Sequence, residues 1–200
     1  MTFIEKSLTF SDFMKAAQPL GIDPCYLEAV AQVESAGIGF LPDGRVKILF
    51  EGHIFWRRLL AYGIDPRKHV TGNEDILYPS WNRKHYKGGS AEHDRLNRAA
   101  RIHELAAYES ASWGKFQIMG FQAQKLAYQD ALQFAGQMTL HEKEHLSAFM
   151  RYCHKFGLID ELQRRDSAGF ARGYNGPGYA ANKYDQKIDA AYRKMKGAKA

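Results

Sequence analysis

The chain has 200 residues, 45% of them hydrophobic and 25% charged, with a net charge of +6. That is ordinary for one globular domain and long enough to bury a real core. Two cysteines, Cys25 and Cys153, are too few for a disulfide framework; each sits on an apolar helical stripe, so two buried free thiols are expected.

No run approaches the ~20 apolar residues of a membrane span. The first segment, MTFIEKSLTFSDFMKAAQ, lacks the basic start, apolar run and small-residue cleavage site of a signal peptide. We expect synthesis in the cytoplasm, with any action outside it depending on release by something else. A basic surface attracts nucleic acid, anionic lipid or anionic envelope without choosing among them.

In chain order, DPCYLEAVAQVES opens with Asp23 as N-cap and Pro24 at the first helical position, and Gly37 and Gly39 stop that helix. Residues 44–50, GRVKILF, read as a strand in a small hairpin. HIFWRRLLAYG reads as a short helix closed by Gly63, and EDILYPSWNRKHYKGGS as an aromatic loop. A longer helix is expected from Ser90 to about Glu109, and another over MTLHEKEHLSAFMRYCHKFG with Leu146, Phe149, Met150 and Cys153 as its buried stripe. RDSAGFARGYNGPGYA gives a short helix and a Gly/Pro turn, and Tyr184, Ile188, Ala191 and Tyr192 pattern the last helix. The basic tail YRKMKGAKA reads as a solvated, frayed end. There is no internal repeat, low-complexity segment or linker. The expectation is a single domain over residues 1–200, mainly α with a small β-hairpin, and monomeric.

Glu34 is the most informative residue. The apolar face of its helix runs Leu27, Val30, Ala31, and helical spacing puts Glu34 next on it. A carboxylate on a buried stripe is disfavoured unless paired or neutral. Desolvation raises its pKa, and a carboxyl still protonated near neutral pH is what a general acid needs. The helix pattern equally allows a helix-ending Glu swung into solvent. Glu109 repeats the geometry after Ile102, Leu105 and Ala106. Beyond it come Ser110, Ala111, Ser112 and Trp113-Gly114, small enough for a ligand to approach the backbone. Gln117 is an amide among apolar neighbours that must find partners, either a sugar N-acetyl or hydroxyl group or the backbone. Tyr174, Asn175, Tyr179 and Tyr184 gather around a tight turn, a common feature by itself.

The order of VES, ESASWGKFQIMG and ARGYNGPGYAANKYD resembles the phage endolysin and prophage N-acetylmuramidase family and, more distantly, goose-type lysozymes and lytic transglycosylases. The resemblance extends over GRVKILFEGHIFWRRL and YPSWNRKHYKGG, from about Asp23 to Tyr192. It implies a lysozyme-like fold that cleaves the bond between N-acetylmuramic acid and N-acetylglucosamine in peptidoglycan glycan strands, without a cofactor, during bacterial lysis. Carried over, Glu34 is the proton donor, and Ser112, Gln117, Tyr174 and Asn175 match groove positions that bind substrate. Many members of that family add a small peptidoglycan-binding domain; no separate cell-wall-binding domain is expected here, so wall targeting would rest on the groove and on attraction to the anionic envelope.

The second carboxylate is open between Glu51, where a strand meets a helix in LFEGH, and Glu109. Either could position water; in an inverting glycosidase the two carboxyls stand ~6.5–9.5 Å apart to leave room for it. A lytic transglycosylase needs no water, because the substrate's own 6-hydroxyl attacks to give a 1,6-anhydro end. HEKEH, His141 to His145, matches the zinc-peptidase pattern H-E-x-x-H. Thr139 as N-cap with Glu142 three residues on would instead make it a capping box in an exposed first turn, and no metal site is expected. Charge and aromatics also permit a non-enzymatic envelope or nucleic-acid binder. With 22 acidic residues interspersed and no helix-turn-helix or metal-knuckle pattern, no specific nucleic-acid partner is expected.

Overall fold

The computed structural model describes residues 6–35 and 37–199. Residues 1–5, at the head of the segment inspected for a leader, and Ala36, in the small-residue stretch after Glu34, lie outside the described residues. The architecture is helical, with one three-stranded antiparallel sheet in the order β1-β2-β3.

Helix α1 (Phe10–Ala17) leads through a short 3-10 turn into α2 (Pro24–Glu34). Asp23 caps α2 as expected: its side chain accepts from the Cys25 amide at 2.9 Å, and Pro24 opens the first turn. Tyr26, Leu27 and Val30 are fully buried, so α2 is a core helix whose apolar face aims its last residue, Glu34, inward. The last helix, α10 (Tyr184–Lys199), lies along α2. It therefore continues through Lys199, where the sequence suggested a frayed tail. A chain of hydroxyls pins the two together through α9 (Ser167–Asn175): Tyr26 donates to Ser167 at 2.9 Å, and Ser167 donates to Asp189 at 2.6 Å.

The strand expected over residues 44–50 is shorter. β1 covers only Ile48–Phe50, while Phe40 and Val46 form an isolated bridge that closes the preceding turn. β1 pairs with β2 (Ala111–Trp113), Leu49 opposite Ser112, and β2 pairs with β3 (Ile118–Met119). The long helix expected from Ser90 to Glu109 is two, α4 (Ala91–Ile102) and α5 (Glu104–Glu109). His103 has extended backbone at φ −160°, and its side chain caps α5 by accepting from the Ala106 amide at 3.1 Å. Helix periodicity runs on across the break, which is why the sequence concealed it.

The remaining helices are α3 (Gly52–Ala61), α6 (Ala131–Met138), α7 (Glu142–Lys155) and α8 (Ile159–Arg164). Of the expected α7 stripe Leu146, Phe149 and Cys153 are buried while Met150 is only partly buried at its edge, and Phe149 stacks on Phe116 at 4.4 Å between ring centres. Such an aromatic pair adds about 0.5–1.5 kcal/mol beyond area burial. The capping box at Thr139 is a correction. Thr139 ends α6, its amide bonding to Ala135 at 3.2 Å, and the N-cap of α7 is His141, whose Nδ1 accepts from the Lys143 amide. HEKEH is not an exposed turn either: Glu142 and His145 are 3% and 1% exposed. Cys25 and Cys153 are buried free thiols.

Candidate active site

Glu34 ends α2 half-buried; Asn175 of α9 and Lys187 of α10 act on it, and its charge in turn bears on Cys153 of α7 and Tyr174 of α9. The Asn175 amide donates to Glu34 Oε1 at 2.9 Å. Burial raises the carboxyl's pKa to about 7, overriding the Asn175 hydrogen bond and the more remote charge of Lys187, both of which favour the carboxylate. Tyr174 is embedded in aromatics, stacked on Phe170 at 5.5 Å with Phe149 and Tyr152 edge-on. That packing fixes the end of α9, and with it the Asn175 amide. Burial holds the Tyr174 phenol well above its ordinary pKa, so it stays neutral beside the Glu34 carboxyl.

Tyr174 also walls a cleft of about 230 Å³ shared with Tyr152, Phe116, Gln117, Ile118, Met119 and Gln122. Gln122 Oε1 in this wall is buried without a hydrogen-bond partner. A larger cavity, about 510 Å³, runs along the adjoining Glu28, Gln32 and Ser35 face of α2 and has no wall from Glu34.

Ser112 and Gln117 meet each other across the β2–β3 hairpin. The Ser112 hydroxyl donates to Gln117 Oε1 at 2.9 Å, and the Gln117 amide donates to the Gly114 carbonyl at 2.8 Å. Gln117 sits at φ +50°, strained for a residue with a Cβ, and its own side chain braces the turn that imposes the strain.

The two other carboxylates have different surroundings. Glu109 is held on the flank of α3: Arg58 Nε donates to one oxygen at 2.7 Å and the Tyr62 hydroxyl to the other at 3.2 Å. Glu51 is the N-cap of α3, its amide bonded to the Ser110 carbonyl at 2.9 Å. Its Oε2 accepts from the Tyr86 hydroxyl, and His53 Nδ1 lies 3.3 Å away. Among the described residues no hydrogen bond reaches Glu51 Oε1. Burial keeps His53 neutral by lowering its pKa, against the pull of Glu51. Tyr78 lies between His53 and His85, and Trp81 in the same loop is 59% exposed.

Two positioning residues escaped the sequence reading. Glu92 and Arg95, 0% and 2% exposed, form an ion pair at 2.7 Å inside the domain. Glu92 accepts from the amides of Phe50, Lys87 and Gly88, while Arg95 donates to the carbonyls of Phe50 and Asp75. The pair thus ties the end of β1, just before Glu51, to the loop that carries Tyr86. Nothing in the spacing distinguishes it from a solvated i,i+3 pair on α4.

His141 and His145 do not converge. His145 Nε2 bonds to the Met138 carbonyl at 2.7 Å, and Nδ1 accepts from the Lys115 amide at 3.0 Å, so both ring nitrogens are spent. Among the described residues no three His, Cys, Asp or Glu side chains are grouped to hold a metal ion.

A helical body with one small antiparallel sheet and a half-buried carboxyl at a helix end has the construction of a lysozyme-like glycoside hydrolase. Residues 23–196 match the N-acetylmuramidase family model, and the chain belongs to that family. Among solved structures it is similar to the crystal structure of the Burkholderia AP3 phage endolysin, at 38% identity and a TM-score of 0.87, over 96% of this chain and 72% of that one. No curated protein matches the chain. The protein is an enzyme, and its substrate is peptidoglycan.

Proposed function

We propose that the enzyme hydrolyses the bond between N-acetylmuramic acid and N-acetylglucosamine with Glu34 as general acid. The observation that carries this is the Glu34 carboxyl itself, desolvated at the end of a core helix, oriented by Asn175, and protonated up to about pH 7. Protonation of the bridging oxygen releases the N-acetylglucosamine 4-hydroxyl as the C1–O bond breaks. Water then supplies the new C1 hydroxyl on N-acetylmuramic acid, and its proton passes to a second carboxylate. Glu51 suits that role better than Glu109, because both Glu109 oxygens are occupied by Arg58 and Tyr62 while Glu51 keeps one oxygen without a donor among the described residues. Ser112, Gln117, Tyr174 and Asn175 build the groove, with Ser112 and Gln117 acting by shaping the hairpin.

A second reading has its own support. Among the described carboxylates only Glu34 has its pKa raised by burial, and a lytic transglycosylase works with one such acid. Mass spectrometry of fragments from purified peptidoglycan separates the two: hydrolysis leaves reducing N-acetylmuramic acid ends, whereas transglycosylation leaves 1,6-anhydro ends lighter by one water. Mainly anhydro products would overturn the hydrolase reading and leave Glu34 in place.

The similarity to a phage endolysin supports a role in lysis, with synthesis in the cytoplasm and action on the wall after release. We infer that the domain acts as a monomer and that the chain's net charge of +6 holds it to the anionic envelope.

A further inference from the structure

The segment that leaves Glu34 is gripped from an unexpected direction. Lys115, in the β2–β3 turn, donates from Nζ to the Gly37 carbonyl at 2.9 Å and lies 3.3 Å from Glu142 Oε2. Glu142, buried at the start of α7, accepts from the Gly39 amide at 2.7 Å and the Leu8 amide at 3.1 Å. His145, one turn along α7, accepts from the Lys115 amide and stacks on Phe40 at 5.2 Å. The same segment is tied to the sheet, since Lys47 donates to the Gly39 carbonyl and Gly114 to the Lys47 carbonyl, both at 2.8 Å. The two glycines are required by this closeness: a Cβ on Gly39 would sit 2.5 Å from the His145 ring, and one on Gly114 2.9 Å from it. The buried part of the zinc-peptidase look-alike therefore serves as the floor of a clamp.

We propose that Lys115, seated on Glu142 and His145, is a positioning residue for the reaction: it fixes the Gly37–Phe40 segment against the β2–β3 turn and so sets where α2 ends and where the Glu34 carboxyl points. This rests on Glu34 being the acid. Glu34 is three residues before Gly37, and Ser35, between them, is bonded back to the Ala31 carbonyl at 3.0 Å. A loosened segment frees the last turn of α2, admits water to the carboxyl and misaligns it. Misplacement of a reacting group by about an ångström costs up to ~10²-fold in rate.

The test compares Lys115→Met, Lys115→Arg and Glu34→Gln on purified peptidoglycan, with thermal melts. Lys115→Met should lower kcat roughly tenfold or more with KM within about twofold, while Lys115→Arg, which keeps a donor for Gly37 and a charge for Glu142, should recover most of the loss. The pH profile gives a readout that mere destabilisation does not. The groups facing Glu34 are Asn175 and Tyr174 of α9, Cys153 of α7 and Lys187 of α10, and all are retained in Lys115→Met. Entry of water should move the alkaline limb to lower pH, whereas simple removal of a positive charge would move it up. Should Lys115→Met fail to fold, Lys115→Gln, whose shorter amide does not span both oxygens, is read in the same way. Wild-type kcat and pH profile in the Met or Gln variant, beside an inactive Glu34→Gln, would overturn the clamp and leave the acid assignment standing. An active, folded Glu34→Gln would overturn both.

Discussion

The Asn175 side chain donates to the Glu34 carboxyl at 2.9 Å across 141 residues of sequence, joining the end of α9 to the end of α2. Its amide carries no charge, so it orients the Glu34 carboxyl and lowers its pKa only in part, against the larger effect of burial. Asn175→Ala should lower kcat about tenfold. It should also move the alkaline limb of the rate profile to higher pH, because the lost bond favours the carboxylate. A pH–rate series on purified peptidoglycan checks both effects; an unmoved limb would remove Asn175 from the control of Glu34.

Glu34→Gln should cut turnover by at least ~10²-fold, the scale of general-acid catalysis, and the fold should survive. The wild-type rate should fall above about pH 7, where the acid loses its proton. Steady-state rates alongside circular dichroism give the answer, and a folded variant with near-wild-type activity rules the assignment out.

Stability should record the same burial. The folded pKa of Glu34 is raised from 4.5 to about 7, so between those values the folded state holds more protons than the unfolded state, and stability falls as pH rises. His145 acts oppositely. Burial lowers it from 6.5 to about 4, so its contribution is complete above pH 6.5 and is lost as pH falls toward 4. Glu34→Gln removes the first effect alone. The variant should match wild type near pH 4 and exceed it at pH 8 by on the order of 2–3 kcal/mol. Denaturant melts across pH 4–8 measure this, and a variant less stable than wild type at pH 8 contradicts it.

Glu109→Gln should behave as a structural change, costing about 1 kcal/mol through the partly exposed Arg58 pair and leaving kcat within about threefold. Glu51→Gln should slow turnover while substrate binding persists. Reducing-end products with Glu51→Gln fully active would take Glu51 out of the mechanism.

Lysis should persist after exhaustive chelation, and His141→Ala should retain activity, since its ring caps α7 through the Lys143 amide. Loss of that cap should cost about 1 kcal/mol. Activity abolished by chelation and restored by zinc would revive the peptidase reading.

Salt should weaken lysis of permeabilised cells more than cleavage of a short neutral chito-oligosaccharide, because exposed charge is screened beyond ~8–10 Å. Equal sensitivity on both substrates would count against envelope attraction by net charge.

The sequence by itself determined α2 and placed Glu34 at its end. Asp23 and Pro24 mark the helix start, and the Leu27, Val30, Ala31 face carries forward to Glu34, because capping and helical period are local properties written within a dozen residues. Local patterns also located the α7 stripe and the aromatic loop before α4. They failed at His103, where periodicity runs across a break that one side-chain cap creates, and at Glu142 and His145. Those two fall on the same face as Leu146, Phe149 and Cys153, yet polar side chains read as solvated because burial without partners is costly. Their partners are Leu8, Gly39, Lys115 and Met138, and the buried Glu92–Arg95 pair depends likewise on Phe50, Asp75, Lys87 and Gly88. Only the folded chain assembles these sets, so only tertiary structure could decide which polar residues lie inside, which amide meets the Glu34 carboxyl, and which carboxylate keeps an oxygen free of donors among the described residues.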